Sequence, residues 1–571
     1  MLPKIRPKVK KLLPLLQNLY VRTRKGQFSF AYLNVAQFLG VLNDNLYKLL
    51  MIFLLLSTLG AGEASNILSA AGALYVIPFL LFSASAGILA DRFSKQTLIR
   101  TLKGVEVFLM ALAFVAFYTK SVWGCYSLLF LIATHSALFG PPKYGILPEL
   151  VDKSEMSKAN GHLTAFTYLA MIIGTFLASF LTDFMGKNFV FVVLFCFVFS
   201  LAGFFASFGI KKTPSQKSTK KMNLLFIREI YYTIVECKKT PLLAPCLFGS
   251  AFFLFIGAFT QLNIIPLAIE SLHLSEYAGG YLFLFTAIGI ALGSFISGKF
   301  FKNKLDISTS CIAGFSIAID FFCIWAFSSF LVPTIIFLTL LGIFGGVFVV
   351  SFDTFIQINS PLGKRGQTIA AANFLSFFGV LIASLCLYLF GHLMGLSAAV
   401  GFFFMGLITL VATGFLSFQL LEVFLPFLSR RLFKGRGLAI IDPLKTVESS
   451  KIFFCEEFSF SLFWTASIQS PRSRFLILAP KKGFLFRLLS LSPSVYFLEQ
   501  EAPLQTIIAK ATSLEDDETS VCIFLNEPLP ERKNKRTFSF LPFKESKSCI
   551  LKTHQEESGN AAVVVEKSDV I

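Results

Sequence analysis

Spaced metal and redox ligands are missing from this sequence. Its ten cysteines form no CxxC pair and no cluster with its five histidines. Neither a zinc site nor a disulfide framework is indicated, and no metal or other cofactor is expected. No GxxxxGK(S/T) loop occurs either, which argues against ATP hydrolysis by this chain. The N-terminal stretch MLPKIRPKVKKLLPLLQ starts basic but lacks a small-residue cleavage site, and a second basic run, Val21–Lys25, follows. It reads as a basic arm, not a cleaved leader. Acid is scarce: 33 Asp and Glu stand against 51 Lys and Arg, a formal charge of +18. In a soluble protein that surplus would suggest nucleic-acid binding. Here the basic residues fall in short loops and tails, as membrane topology demands, so no nucleic-acid partner is expected.

What is abundant is apolar. The chain has 571 residues, 55% of them hydrophobic, with 70 Phe and a mean hydropathy of +0.71. That is the composition of a polytopic membrane protein. A bilayer crossing needs roughly 20 apolar residues, and a window of that length finds about twelve. They lie near 28–59, 66–90, 97–118, 121–142, 161–184 and 188–210, then near 242–269, 277–300, 307–328, 331–358, 366–392 and 397–425. Basic residues mark alternate loops. They crowd the arm 1–27, the stretch with Arg92, Lys95, Arg100 and Lys103, the connector 211–241, the pair Lys364 and Arg365, and the segment after the last crossing. Positive charge marks the cytosolic side, so both termini are expected there. The connector splits the crossings into halves at 28–210 and 242–425, the organisation of a rocking transporter with a midplane site between two bundles.

Polar residues at membrane depth are costly, by roughly 2.5–3.5 kcal/mol for a central charge, and are functional candidates by default. The richest group lies in Phe38–Lys48 (FLGVLNDNLYK). Turned at 100° per residue, Asn34, Gln37, Asp44, Asn45 and Lys48 fall in one arc roughly 100° wide, while Asn43 points away. Asp44 and Lys48, at i,i+4, are placed to pair. Such a stripe must face a cavity or other helices, and it either holds the bundle together or lines a pathway. In the second half Asp353 and Gln357 share a face, and Asp320, Asn359 and Asn373 are further polar residues in its crossings. Glu106, His135, Gln261 and Asn263 are further candidates. Lys143, after Pro141-Pro142, is placed to attract a phosphate at the cytosolic mouth.

Between the second and third crossings the chain reads Gly87-Ile-Leu-Ala-Asp91-Arg92-Phe-Ser-Lys95. This resembles the GxLaDrxGrk signature of the major facilitator superfamily, with Ser94 where Gly is usual. The resemblance implies an all-α fold of about twelve crossings and a latch on the cytosolic side. In that latch Gly87 admits a close helix, Asp91 caps a neighbouring helix N-terminus, and Arg92 stands beside them. The corresponding stretch of the second half, Gly293–Lys304, has no matching acid. Phe38–Lys48, Phe139–Pro148 with Lys158–Gly161, and Arg365–Phe374 (RGQTIAAANF) are similar to the first helix, the helix four–five connection and the entry to helix eleven of the lysophospholipid transporter family. That resemblance covers about 28–425. It implies a lysophospholipid substrate within membrane lipid, moved to the cytosolic leaflet of a bacterial inner membrane. It also implies reacylation there by an acyltransferase–acyl-ACP synthetase partner.

From about Arg430 the composition turns mixed. Phe475–Ala479 (FLILA) and Val521–Leu525 (VCIFL) read as buried strands of a small cytosolic α/β domain over 430–545, followed by a polar tail at 546–571 expected to lack order. Glu456–Lys482 with Val521–Leu529 resembles the glycerolipid acyltransferase fold. Glu457 and Leu462 stand where that family has its HxxxxD pair, and Phe524-Leu-Asn-Glu527 where it has FPEG. Without the imidazole there is no general base. The domain is read as a catalytically dead remnant or a docking module, and the chain as a transporter rather than an enzyme.

Overall fold

A computed structural model describes residues 7–60, 64–186, 188–215, 218, 226–274, 276–300, 307–361, 363–433 and 510, together with the strands 450–455, 472–478, 495–498, 519–524, 547–555 and 561–567. The described residues fall into two units, Met1–Val411 and Ala412–Ile571.

Without water, a backbone must satisfy its own hydrogen bonds, so the long apolar runs become helices. The first half holds α1 (Pro7–Leu59), α2 (Ala64–Arg92), α3 (Lys95–Tyr118), α4 (Val122–Gly145), α5 (Met156–Phe184) and α6 (Phe189–Ser207). The second holds α7 (Leu243–Glu270), α8 (Glu276–Phe300), α9 (Ile307–Ala326), α10 (Leu331–Asn359), α11 (Arg365–Tyr388) and α12 (Ala398–Gln419). Among the described residues, ten helices are long and apolar enough to cross a membrane. The remaining two are α3, which carries Lys95, Arg100, Lys103 and Glu106, and α8, whose apolar helical stretch among the described residues is Leu282–Gly298. The expected basic arm is no separate loop from Pro7 onward: it is helical and runs without a break into the first crossing.

Packing follows the two halves. In the first, α1 lies against α5 and α6, α2 against α4, and α3 against α4 and α6. Leu46, Tyr47, Met51, Phe117, Leu129 and Cys196 fill its core, and the Tyr47 hydroxyl donates to the Cys125 carbonyl at 3.0 Å. In the second, α7 lies against α10 and α11, while α8 and α9 lie against α10. Two main seams join the halves, α2 on α11 and α5 on α8, with lesser contacts of α5 on α10 and α4 on α11. Large apolar side chains such as Phe108, Phe176 and Phe205 point outward, where lipid in place of water carries no penalty.

The second unit contains a six-stranded sheet: β1 (Ser450–Cys455), β2 (Arg472–Leu478), β3 (Val495–Leu498), β4 (Thr519–Phe524), β5 (Lys547–Gln555) and β6 (Ala561–Lys567), in the order β3-β2-β4-β1-β5-β6. All neighbours are parallel except β5 and β6. The stretches read as buried strands are β2 and β4. The stretch read as a tail without order instead contributes β5 and β6, whose antiparallel ladder pairs Cys549 with Lys567 and Gln555 with Ala561. Parallel strands need crossover connections. Those segments, with Glu457, Leu462 and Leu525–Glu527, lie outside the described residues. His554 sits on β5 opposite Ala562.

Candidate functional site

A cavity of about 260 Å³ lies between the halves. Its polar lining includes Gln37, Asp44, Lys103, His135, Ser136 and Lys143 from the first half, and Ser250, Asp353, Gln357 and Asn373 from the second. Phe79, Phe139, Phe253 and Phe377 supply aromatic walls, with the rings of Phe79 and Phe377 stacked 3.8 Å apart.

The α1 stripe divides when its partners are seen. Asp44 accepts a hydrogen bond from the Ser136 hydroxyl of α4 at 2.5 Å. Gln37 accepts from Thr167 at 3.0 Å and donates to the Leu163 carbonyl at 3.3 Å, tying α1 to α5. Asn45 bonds its own helix, donating to the Val41 carbonyl at 2.8 Å. Asn34 is buried with its side-chain oxygen unpartnered. Asn43, which the helical angles turned away, donates to the Cys196 carbonyl of α6 at 2.9 Å. Asp44 and Lys48 do not form the ion pair their spacing allows. The Lys48 ammonium lies 5.2 Å from the Tyr75 ring centroid of α2. Sequence spacing sets which side chains could meet; here Ser136 and Tyr75 take them in different directions. Neither Asn34, Asn45 nor Lys48 lines the cavity.

Lys143 does line it, buried within α4, with its ammonium 4.5 Å from the Tyr144 ring centroid. Asp353 accepts from Ser250 at 2.6 Å. Lys143 shares this space with both Asp44 and Asp353. Gln357 and Asn160 exchange hydrogen bonds at 2.8 and 3.1 Å, joining α10 to α5. The remaining candidates scatter. Asn359 donates to the Phe355 carbonyl of its own helix and Asn263 to the Ala398 carbonyl. Gln261 is exposed on α7, and Asp320 is buried in α9 away from the cavity.

Sequence reasoning missed a buried ion pair on the cavity wall. Lys103 counted as a loop cation, yet it is 1% exposed, 2.6 Å from Glu106. A Cβ at Gly40 would lie 2.5 Å from its ammonium, so the Lys103 side chain passes directly over the α1 backbone there. His135 bonds the Leu102 carbonyl at 3.0 Å and stands 3.9 Å from Glu106. The i,i+3 spacing of Lys103 and Glu106 was the signal available. Lys95, also counted as a loop cation, is buried against Glu149 at 2.6 Å.

At one end of the bundle the halves touch. Asp91 accepts from the backbone N–H groups of Gly366 at 2.7 Å and Gln367 at 3.0 Å, and from the Gln367 side chain at 3.2 Å. These are first-turn amides of α11, which a helix leaves without internal partners. A Cβ at Gly87 would lie 2.7 Å from both Ala370 Cβ and the Gly366 carbonyl oxygen. Arg92 is half-buried beside them.

Residues 33–384 match the family described as Major Facilitator Superfamily. The chain is 26% identical over 383 residues to the lysophospholipid transporter LplT of Citrobacter koseri, covering 66% of this chain and 92% of that protein. It is likewise 26% identical over 346 residues to LplT of Escherichia coli O1:K1 / APEC, covering 59% and 83%. Among solved structures it resembles the E. coli fucose:proton symporter FucP, with TM-score 0.55 and 14% identity over 68% of this chain and 98% of that one. It also resembles a bacterial homologue of the iron transporter ferroportin in an outward-facing state, with TM-score 0.53 and 14% identity over 68% and 97%. At these identities the solved structures speak for the fold alone.

Proposed function

The chain belongs to the Major Facilitator Superfamily, and on that premise we propose that it carries a lysophospholipid across a bacterial inner membrane to the cytosolic leaflet. There an acyltransferase–acyl-ACP synthetase would reacylate it. α3 and α8 complete twelve crossings in this reading, with both termini and the closed end cytosolic. The observation that carries the reading is the mixed cavity: two buried ammonium groups, Lys143 and the Glu106-paired Lys103, share it with two carboxylates, Asp44 and Asp353, beside aromatic walls. A lysophospholipid has matching parts. Lys143 receives the phosphate, Asp44 or Asp353 an ammonium headgroup, and the acyl chain lies along phenylalanine. The relatives named as lysophospholipid transporters support the substrate class. Asp91 and Gly87 latch the cytosolic end, and Lys48 acts at one remove through Tyr75.

Reconstitution with labelled lysophosphatidylethanolamine tests this. Wild type moves the label inward, Lys143→Gln and Asp44→Asn do not, and Lys48→Gln does so at a reduced rate. No movement by wild type sinks the substrate. Equal movement by all variants makes the cavity charges scaffolding.

A further inference from the structure

The connector between the halves holds a helix that does not line the cavity. Phe226–Cys237 (FIREIYYTIVEC) packs on α2 and α11, one helix from each half. Turned at 100° per residue, it divides into three sectors. Ile230, Thr233 and Cys237 are buried, and Ile230 clusters with Ala84 of α2 and Ala371 of α11. Arg228, Tyr232 and Glu236 form a polar sector, in which Arg228 donates to the Tyr232 hydroxyl at 3.3 Å and Glu236 pairs with Lys364. Between these two sectors Ile227, Tyr231 and Val235 make an apolar flank, 64%, 62% and 38% exposed.

A helix with water on all its free side would have two sectors, one buried and one polar. A third, apolar and on one flank only, fits a helix lying along a bilayer surface. The helices beneath agree. Seven residues along a helix returns nearly to the same face. The covered Ala84 is followed on its stripe by Ile77, and Ala371 by Phe378, both exposed and apolar. The wall that the connector helix covers at the closed end therefore continues as outward apolar surface. Lys238 and Lys239 are exposed directly after the helix, and Lys211 and Lys212 where the connector begins. Cations beside an apolar flank complement anionic headgroups.

We propose that this helix docks on a leaflet of anionic phospholipid. Ile227, Tyr231 and Val235 enter at the boundary of headgroup and acyl chain, and Lys238 and Lys239 meet the headgroups. Because it spans α2 and α11, the docked helix holds the two halves together from outside the cavity. The inference stands whatever the substrate.

The test uses the full chain in vesicles, with a bimane label at Val235→Cys or at Tyr232→Cys. In phosphatidylglycerol vesicles the label at 235 is quenched by acyl-brominated lipid and shielded from iodide, and the label at 232 behaves in the opposite way. Pure phosphatidylcholine, or the K238Q/K239Q variant, lowers the docked-to-undocked ratio roughly tenfold, since each cation near an anionic surface adds to binding. Iodide quenching of equal strength at 235 and 232 overturns the proposal. So does lipid contact at 235 that is equal in anionic and zwitterionic vesicles.

Discussion

The two seams that join the halves are built from different chemistry. On α2–α11, Asp91 places a carboxylate on the first amides of α11, and Gly87 lets the backbones meet. On α5–α8 the described contacts bring backbone and aromatic rings together. Gly161 admits the Ser294 carbonyl and lies against Gly298, while the Asn160–Gln357 amide pair closes nearby between α5 and α10. The first seam is held by charge on a helix end and the second by close packing and neutral hydrogen bonds. Opening the charged seam returns the buried Asp91 carboxylate to water, a gain in hydration that a neutral contact lacks. In the proposed transport cycle the α2–α11 seam is the one expected to open and close, with α5–α8 as its partner in shape.

The largest effect should come from adding bulk. Gly161→Leu or Gly87→Leu leaves no room for the facing backbone, and the closed state should be lost, read as a lengthened distance between spin labels on the two halves at this end. Gly87→Leu that closes normally would break the comparison at its steric root. Next comes charge. Asp91→Asn keeps the shape but removes the anion from the α11 terminus, which should weaken closure by about 1–2 kcal/mol. The same labels should show the open population rising roughly tenfold, with a smaller rise for wild type in high salt. Smaller still is the amide pair. Interhelical hydrogen bonds in membranes average about 0.6 kcal/mol, so Gln357→Leu should shift the same ratio by only two- to threefold. If Gln357→Leu opened the bundle as far as Asp91→Asn, the division between the seams would be false.

Much of the charged seam was legible in the residues. The Gly87–Lys95 motif names the glycine and the acid, and the fold supplies the amides that Asp91 caps. The glycine seam was not legible, because Gly161 and Gly298 are far apart in the chain and no side chain marks their contact. In the cavity, helical angles placed Gln37 and Asp44 with Lys48, but direction along the helix was decided by Ser136 and Tyr75, which belong to other helices. Lys103 was hidden by a sound rule. Basic residues near a cytosolic loop are normally solvated, yet α3 begins at Lys95 and carries Lys103 two turns inward to Glu106. In the C-terminal unit, polar composition concealed β5 and β6, because an edge ladder is set by backbone pairing as much as by apolar content.

The central claim is that the cavity reads a phosphate through Lys143. Equilibrium binding of lysophosphatidylethanolamine to the purified chain tests it most directly, set against a monoacylglycerol of the same acyl length. The account predicts that wild type prefers the phosphate-bearing lipid and that Lys143→Gln weakens its binding by about tenfold to a hundredfold, the range for losing a charged hydrogen bond. It also predicts that Lys143→Gln leaves monoacylglycerol binding unchanged. Equal binding of both lipids by wild type, or an unchanged affinity in Lys143→Gln, would contradict it.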